Sequence, residues 1–182
     1  MNIPTLQTPR LFLRPWRLED GEAWFNILQE EGILRYYPNQ TPPPREKAEP
    51  YITHHLSHWQ TRGYGHWAVV TREEGRVVGW SGLEYLHELE ETEVAYLLSK
   101  RAWGLGYATE AARASVQFGF ESAGLEKIIG LVHPENVGSV RVLEKCGLTL
   151  TGRITLWGME MSRYRITREE YEESKKKIKA PA

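Results

Sequence analysis

The stretch Arg101-Ala102-Trp103-Gly104-Leu105-Gly106-Tyr107-Ala108-Thr109 sets two glycines one residue apart, between a segment that reads as a strand and one that reads as a helix. Glycines at that spacing permit a tight turn and close backbone approach, and the first amides of a helix point outward at its positive dipole end. The combination is a cradle for an anion. Three phosphate-binding readings compete for it. A nucleotide P-loop needs Gly-Lys-Ser/Thr to end the loop, which is absent, and the dinucleotide fingerprint needs a small residue where Thr109 stands. The third reading is a coenzyme A pyrophosphate.

Other reactive residue types give weaker signals. Cys146 immediately precedes Gly147 at a helix end, where the dipole does nothing to favour a thiolate, so it reads as a packing residue. His54 and His58 are spaced i, i+4, yet His54-His55-Leu56-Ser57-His58 lacks the glutamate of H-E-x-x-H, and no metal is expected. His133 reads as a satisfied structural residue, while His66 and Trp67 are candidates for the wall of a substrate cleft.

The elements that would hold these residues follow from periodicity and punctuation. Leu11 to Arg14 reads as a first strand, and Asp20 can open a helix with Trp24, Ile27 and Leu28 on one face. Pro42, Pro43 and Pro44 break the chain. Ile52, His55, Leu56 and Trp59 then recur at i, i+3, i+4, i+7 in a helix ending near Gly63. Trp67 to Val70, Val77 to Trp80 and Glu93 to Leu98 read as three strands of a meander. The glycine loop leads into a helix of about five turns, rich in Ala, Ser and Gly, which can lie close to a sheet. Ile128 to His133 reads as a buried strand, Asn136 to Lys145 as a helix stopped by Gly147, and Leu148 to Leu156 and Met159 to Ile166 as two more strands. A strand, helix and strand in succession imply parallel pairing with a right-handed crossover. Thr167 and Glu170 form a capping box opening a polar helix, and residues from about 170 to 182, with Lys175-Lys176-Lys177, read as a solvated tail.

Composition bounds the function. A chain of 182 residues forms a core without staples, and its single cysteine excludes a disulfide framework and fits a reducing, cytoplasmic setting. With 23 basic against 24 acidic residues, there is no broad field for nucleic acid or anionic membrane. Neither a signal-peptide stretch nor a membrane-spanning apolar run is evident. The expectation is a single domain over residues 1–182, monomer or homodimer, with no nucleic-acid or membrane partner.

The glycine loop and five further ordered blocks now carry a resemblance. Arg101-x-x-Gly104-x-Gly106 continued as Tyr107-Ala-Thr-Glu-Ala resembles the acetyl-CoA loop of the Gcn5-related N-acetyltransferase (GNAT) superfamily. TPRLFLRPW near the start, VVGWSGL, EVAYLL from Glu93, NVGSVRVLEKCGL from Asn136 and YRITREEY from Tyr164 are similar to the branch that acetylates ribosomal-protein N-termini. The resemblance implies an α/β (α+β) GNAT fold, a mixed, mostly antiparallel sheet of about six to seven strands flanked by helices. It implies that amides of Leu105, Gly106, Tyr107, Ala108 and Thr109, with Arg101 nearby and Gly104 giving access, hold the pyrophosphate. Main-chain groups of Leu97 and Leu98 would align the pantetheine arm, with Asn136 on the other side. Glu93 matches the acid of the family's E-x-x-Y block, and Glu160 stands where relatives carry another. The superfamily's tyrosine, seven residues after the asparagine, is Leu143 here; the resemblance to the ribosomal branch implies instead a serine three residues after the asparagine, Ser139, as proton donor to the departing thiolate. Glu84 and Glu110 are lesser candidates, Glu110 as a helix-turn residue paired with a nearby base.

The expected activity is transfer of acetyl from acetyl-CoA to a primary amine in a ternary complex. An α-amine is about one-tenth neutral at pH 7, whereas a lysine is neutral about once in 2,500, a cost of roughly 4.6 kcal/mol. A protein N-terminus is therefore the preferred acceptor, ahead of a small amine or amino acid. A coenzyme A-binding module without turnover is the other class of function. Asp20 to Gly63, with Tyr36, Tyr37 and the proline run, would shape the acceptor side, although the aromatics Trp16, Trp24, Tyr36, Tyr37 and Trp59 read mainly as core.

Overall fold

The computed structural model describes residues 2–179. The elements run β1 (Leu6–Gln7), β2 (Leu11–Arg14), α1 (Gly21–Leu28), α2 (Ala48–Arg62), β3 (His66–Thr71), β4 (Val77–Leu86), β5 (Glu91–Leu98), α3 (Tyr107–Glu121), β6 (Lys127–Val132), α4 (Val137–Lys145), β7 (Thr149–Leu156), β8 (Met159–Thr167) and α5 (Arg168–Lys179). One sheet has the order β1-β2-β3-β4-β5-β6-β8-β7, antiparallel at every pairing but β5 with β6. Its eight strands exceed the expected six to seven, partly because β1 is a two-residue edge strand with no periodicity to betray it. Among the described residues no helix is long and apolar enough to cross a membrane.

Helices cover both faces. Alternation along β4 and β5 sends Trp80 and Leu97 toward α1 and α2, where they join Trp16, Trp24, Ile52 and Ala68 in one core. On the other face Leu83, Val94, Ile128 and Leu143 pack with Val116 and Phe120 of α3. The small-residue face of α3 is what brings it close: a Cβ on Gly119 would lie 2.7 Å from Ile128 Cδ1. Buried Ser81 and Ser115 satisfy one another across the same contact, Oγ to Oγ at 3.1 Å. At 15 residues, α3 is about one turn shorter than its sequence suggests.

Two local readings gain detail. Asp20 precedes α1, but its carboxylate accepts from both Arg14 guanidinium nitrogens at 2.7 Å and from the Arg17 amide instead of capping the helix. The residues read as a tail from about 170 continue helically to Lys179: Tyr171 stacks on Phe120 at 4.8 Å, its hydroxyl and Lys175 both bond Glu121, and Arg168 donates to the Phe120 carbonyl. The stretch thus packs on α3 through one aromatic and a few cations, a pattern too sparse for periodicity to display. Ala180 to Ala182 lie outside the described residues.

Candidate functional site

The one parallel pairing creates the site. β5 and β6 are in register only at Glu93 and Ile129. Beyond that point Val94–Leu98 diverges from Gly130–Val132, and the gap is a cleft of about 850 Å³ between β5 and the N-terminal turn of α4. Leu97, Leu98, Gly104, Gly106, Ala108 and Thr109 line one side, and Asn136 and Ser139 the other. Tyr36 and Tyr37, from the connection after α1, also line the cleft.

The glycine loop is built as an anion cradle. Gly104 and Gly106 have φ of 73° and 79°, values that side chains rarely tolerate, and Gly106 is the residue from which α3 starts. The amides of Tyr107, Ala108 and Thr109 then fall in the first turn, where no helical acceptor is available to them. Arg10 braces the loop from outside: its Nη1 donates to the Leu105 carbonyl at 2.8 Å, and its Nε donates to Glu110 at 2.7 Å. Glu110 is therefore a brace. Burial works to raise its pKa, but bonds from Thr8 and Arg10 outweigh that and hold it below the usual range. Arg101 is exposed and, like Leu105 and Tyr107, is not among the residues lining the cleft.

At the apex, Glu93 faces the α1–α2 side together with Glu84, its direct partner across β4. Burial, reinforced by the Glu84 charge and opposed by the Leu131 backbone, pushes Glu93 up to about 8. Burial also raises Glu84, against the pull of His58 and His54. Glu84 lies 3.5 Å from Nε2 of His66, which burial and neighbouring histidines push down to about 3, so this contact is not an ion pair near neutral pH. Gly82 makes the proximity possible, since a Cβ there would sit 2.2 Å from the Gly65 carbonyl at the start of β3.

Across the cleft, Asn136 caps α4, its Oδ1 accepting from the Ser139 amide at 3.2 Å. Tyr96 donates its hydroxyl to the Ser139 carbonyl at 3.0 Å, and burial holds its pKa high. Sequence reasoning gave Tyr96 no role, although it is the tyrosine of the E-x-x-Y block. His133 stacks on Tyr36 at 5.2 Å, and the Tyr36 hydroxyl donates to the Glu135 carbonyl at 3.2 Å, tying the acceptor-side connection to the turn before α4.

Glu93 and Ser139 both line the cleft, whereas Glu160 does not. It sits on the outer hairpin, 60% exposed and bonded to Arg153 at 2.8 Å. Cys146 is buried, with its thiol pushed up to about 12. Trp67 and His66 are buried beneath the sheet face rather than in the cleft wall, and Trp16, Trp24 and Trp59 are core.

Comparison with known proteins adds to this geometry. A family model described as an acetyltransferase (GNAT) domain matches residues 10–149. The chain is 35% identical to a Bacillus subtilis protein named "Probable N-acetyltransferase YjcK", over 81% of this chain and 84% of that one. An acetyltransferase structure from Agrobacterium tumefaciens superposes with a TM-score of 0.79 at 29% identity, covering 91% of this chain and 95% of the other. A ribosomal-protein-S5-alanine acetyltransferase from Vibrio fischeri shares the fold at a TM-score of 0.76 and 14% identity, covering 91% and 97%.

Proposed function

The chain belongs to the GNAT acetyltransferase family, and from that premise we propose that it moves acetyl from acetyl-CoA to a primary amine by direct attack in a ternary complex, with a protein N-terminal α-amine as preferred acceptor. The carrying observation is the single register pair Glu93 and Ile129, which opens a cleft with a titratable carboxylate at its apex and an anion cradle at its mouth. The open glycine turn and the first amides of α3 fit a pyrophosphate, and the β5 edge at Leu97 and Leu98, which lines the cleft, fits an amide-bearing arm. Acetyl-CoA supplies an activated acyl carbon and a thiolate leaving group.

Glu93 accepts the proton of the incoming ammonium, directly or through one water. Its pKa of about 8 is close to that of an α-amine, so the transfer is nearly level, while a lysine near 10.4 is a poor match. Ser139, in the first turn of α4, donates a proton to the sulfur as the C–S bond breaks and is reprotonated through solvent by the acylated nitrogen, which sheds its second proton. The positive end of that helix stabilises the charge developing on the sulfur. Asn136 orients the arm while holding the Ser139 amide. Arg101 and Glu160 contribute only at a distance, by charge, since neither lines the cleft.

A small amine with a second positive charge is the alternative acceptor, favoured by the paired carboxylates of Glu84 and Glu93. Thiol release from acetyl-CoA, measured with peptides of free or blocked N-termini and with small mono- and diamines, decides between them. Release that requires a free peptide α-amine supports the proposal. Preference for diamines selects the alternative, and silence despite tight coenzyme A binding overturns catalysis altogether.

A further inference from the structure

Four of the six histidines gather where α2 crosses the start of β3: His54, His55, His58 and His66. They are not equivalent. His58 is fully engaged, with Nδ1 2.8 Å from the Tyr64 carbonyl and Nε2 accepting the Tyr85 amide at 3.4 Å. The H-x-x-x-H spacing of His54 and His58 is therefore not a ligand pair. His54, His55 and Glu84 instead present one ligand atom each, all within 4.8 Å of one another. His66 is only 4% exposed, and its Nε2 is buried without a hydrogen-bond partner among the described residues, 3.5 Å from Glu84 Oε2.

We propose that His54, His55 and Glu84 bind one borderline divalent transition-metal ion of the Zn²⁺ type, with His66 steadying the carboxylate from behind. Imidazole nitrogen selects such ions over Mg²⁺ and Ca²⁺, and two histidines with one glutamate form a known zinc set that leaves a fourth position open. Tetrahedral ligands around zinc lie about 3.4 Å apart for bonds of about 2.1 Å, so the set must contract. The exposed His54 and partly exposed Glu84 have the freedom to close onto the buried His55. The Tyr51 hydroxyl lies 3.5 Å from His66 Nδ1, and with that hydroxyl as donor Nε2 carries the hydrogen. A Glu84 fixed by metal gives that hydrogen its acceptor, the supporting bond that ligating carboxylates receive. The orphan nitrogen is thereby explained, and exposure of His54 supplies the entry path. Glu84 also stands opposite Glu93, so the site adjoins the proposed transferase centre, and its test reads metal binding directly rather than acetyl transfer.

The test is direct binding on tag-free protein stripped of metal. Zn²⁺ is titrated in competition with a chromophoric chelator, and Co²⁺ is used in parallel for its visible absorption bands. The expected result is one equivalent bound, with affinity reduced at least about tenfold in His54→Ala and in Glu84→Gln and unchanged in His87→Ala, a surface control. Circular dichroism verifies that the variants are folded, and His54→Ala is the safer of the two because its side chain is exposed. Absence of stoichiometric binding, wild-type affinity in both ligand variants, or equal competition by Mg²⁺ would overturn the site.

Discussion

Glu84 and Glu93 stand opposite one another across β4 and β5, on the sheet face covered by α1 and α2, and the Glu84 charge adds to burial in keeping the Glu93 proton bound. The pH profile should carry this coupling. With chelator present, kcat/KM for one acceptor rises with pH and levels off above about 8. In Glu84→Gln the rising limb moves to lower pH because one cause of the elevated pKa is gone. A limb at the same pH in both proteins would detach Glu93 from the profile.

Glu93 also links activity to stability. Its carboxyl ionises at about 4.5 when unfolded and about 8 when folded, so its stabilising contribution is complete below about 4.5 and is lost as pH rises through about 8. Glu93→Gln, which never ionises, should unfold at a higher temperature than the wild type at pH 9. The gain is on the order of 2 kcal/mol, or about 4–8 °C, and shrinks as pH falls toward 5. Acetyl transfer should drop about 10²- to 10³-fold. Calorimetric scans at several pH values beside initial rates check both parts.

Gly106→Ala tests the cradle. A side chain there must adopt φ near 79°, and its Cβ would lie 3.3 Å from Arg10 Nη2. The expected cost is about 1–2 kcal/mol in stability, together with a KM for acetyl-CoA raised about tenfold and a nearly unchanged kcat. Steady-state rates across acetyl-CoA concentrations separate these effects, and an unchanged KM would detach the loop from acetyl-CoA.

Ser139 and Tyr96 can be told apart although they touch. Ser139→Ala removes the proposed donor and should lower kcat about 10²-fold, with coenzyme A affinity preserved. Tyr96→Phe removes only the bond to the Ser139 carbonyl and should lower kcat severalfold. Single-turnover rates on both variants check the order, and a larger loss in Tyr96→Phe would transfer the donor role to Tyr96.

What could be read from the sequence was what repeats or punctuates locally. The apolar spacing of α2 with its left-handed Gly63, the β3–β4–β5 meander, the small face of α3 and the α4 helix stopped by Gly147 all announce themselves within a few residues. Other features depend on partners distant in sequence. Arg10 reads as an ordinary strand-edge charge until Glu110 and Leu105 are set beside it, and Glu160 looks as acidic as Glu93 until the hairpin carries it outward. The same holds for His55 and Glu84, which meet only because α2 lies across β4. β4 itself runs on to Leu86 through Ser81-Gly82, a dipeptide that resembles a strand ending but is a point of close backbone approach.

The brace on the glycine loop bears on how the molecule is made. Thr8 and Arg10 reach Glu110 over sequence separations of 102 and 100 residues. On a ribosome adding about 5–20 residues per second, the amino-terminal edge waits several seconds or more for its carboxylate to emerge. Contacts of such long range carry a large loop-closure cost and tend to form late. The cradle therefore acquires its outer wall after much of the sheet has assembled. A chain shortened by its first ten residues should keep both apolar cores while leaving the loop without its support, a newly made enzyme folded in bulk yet slow to retain its co-substrate.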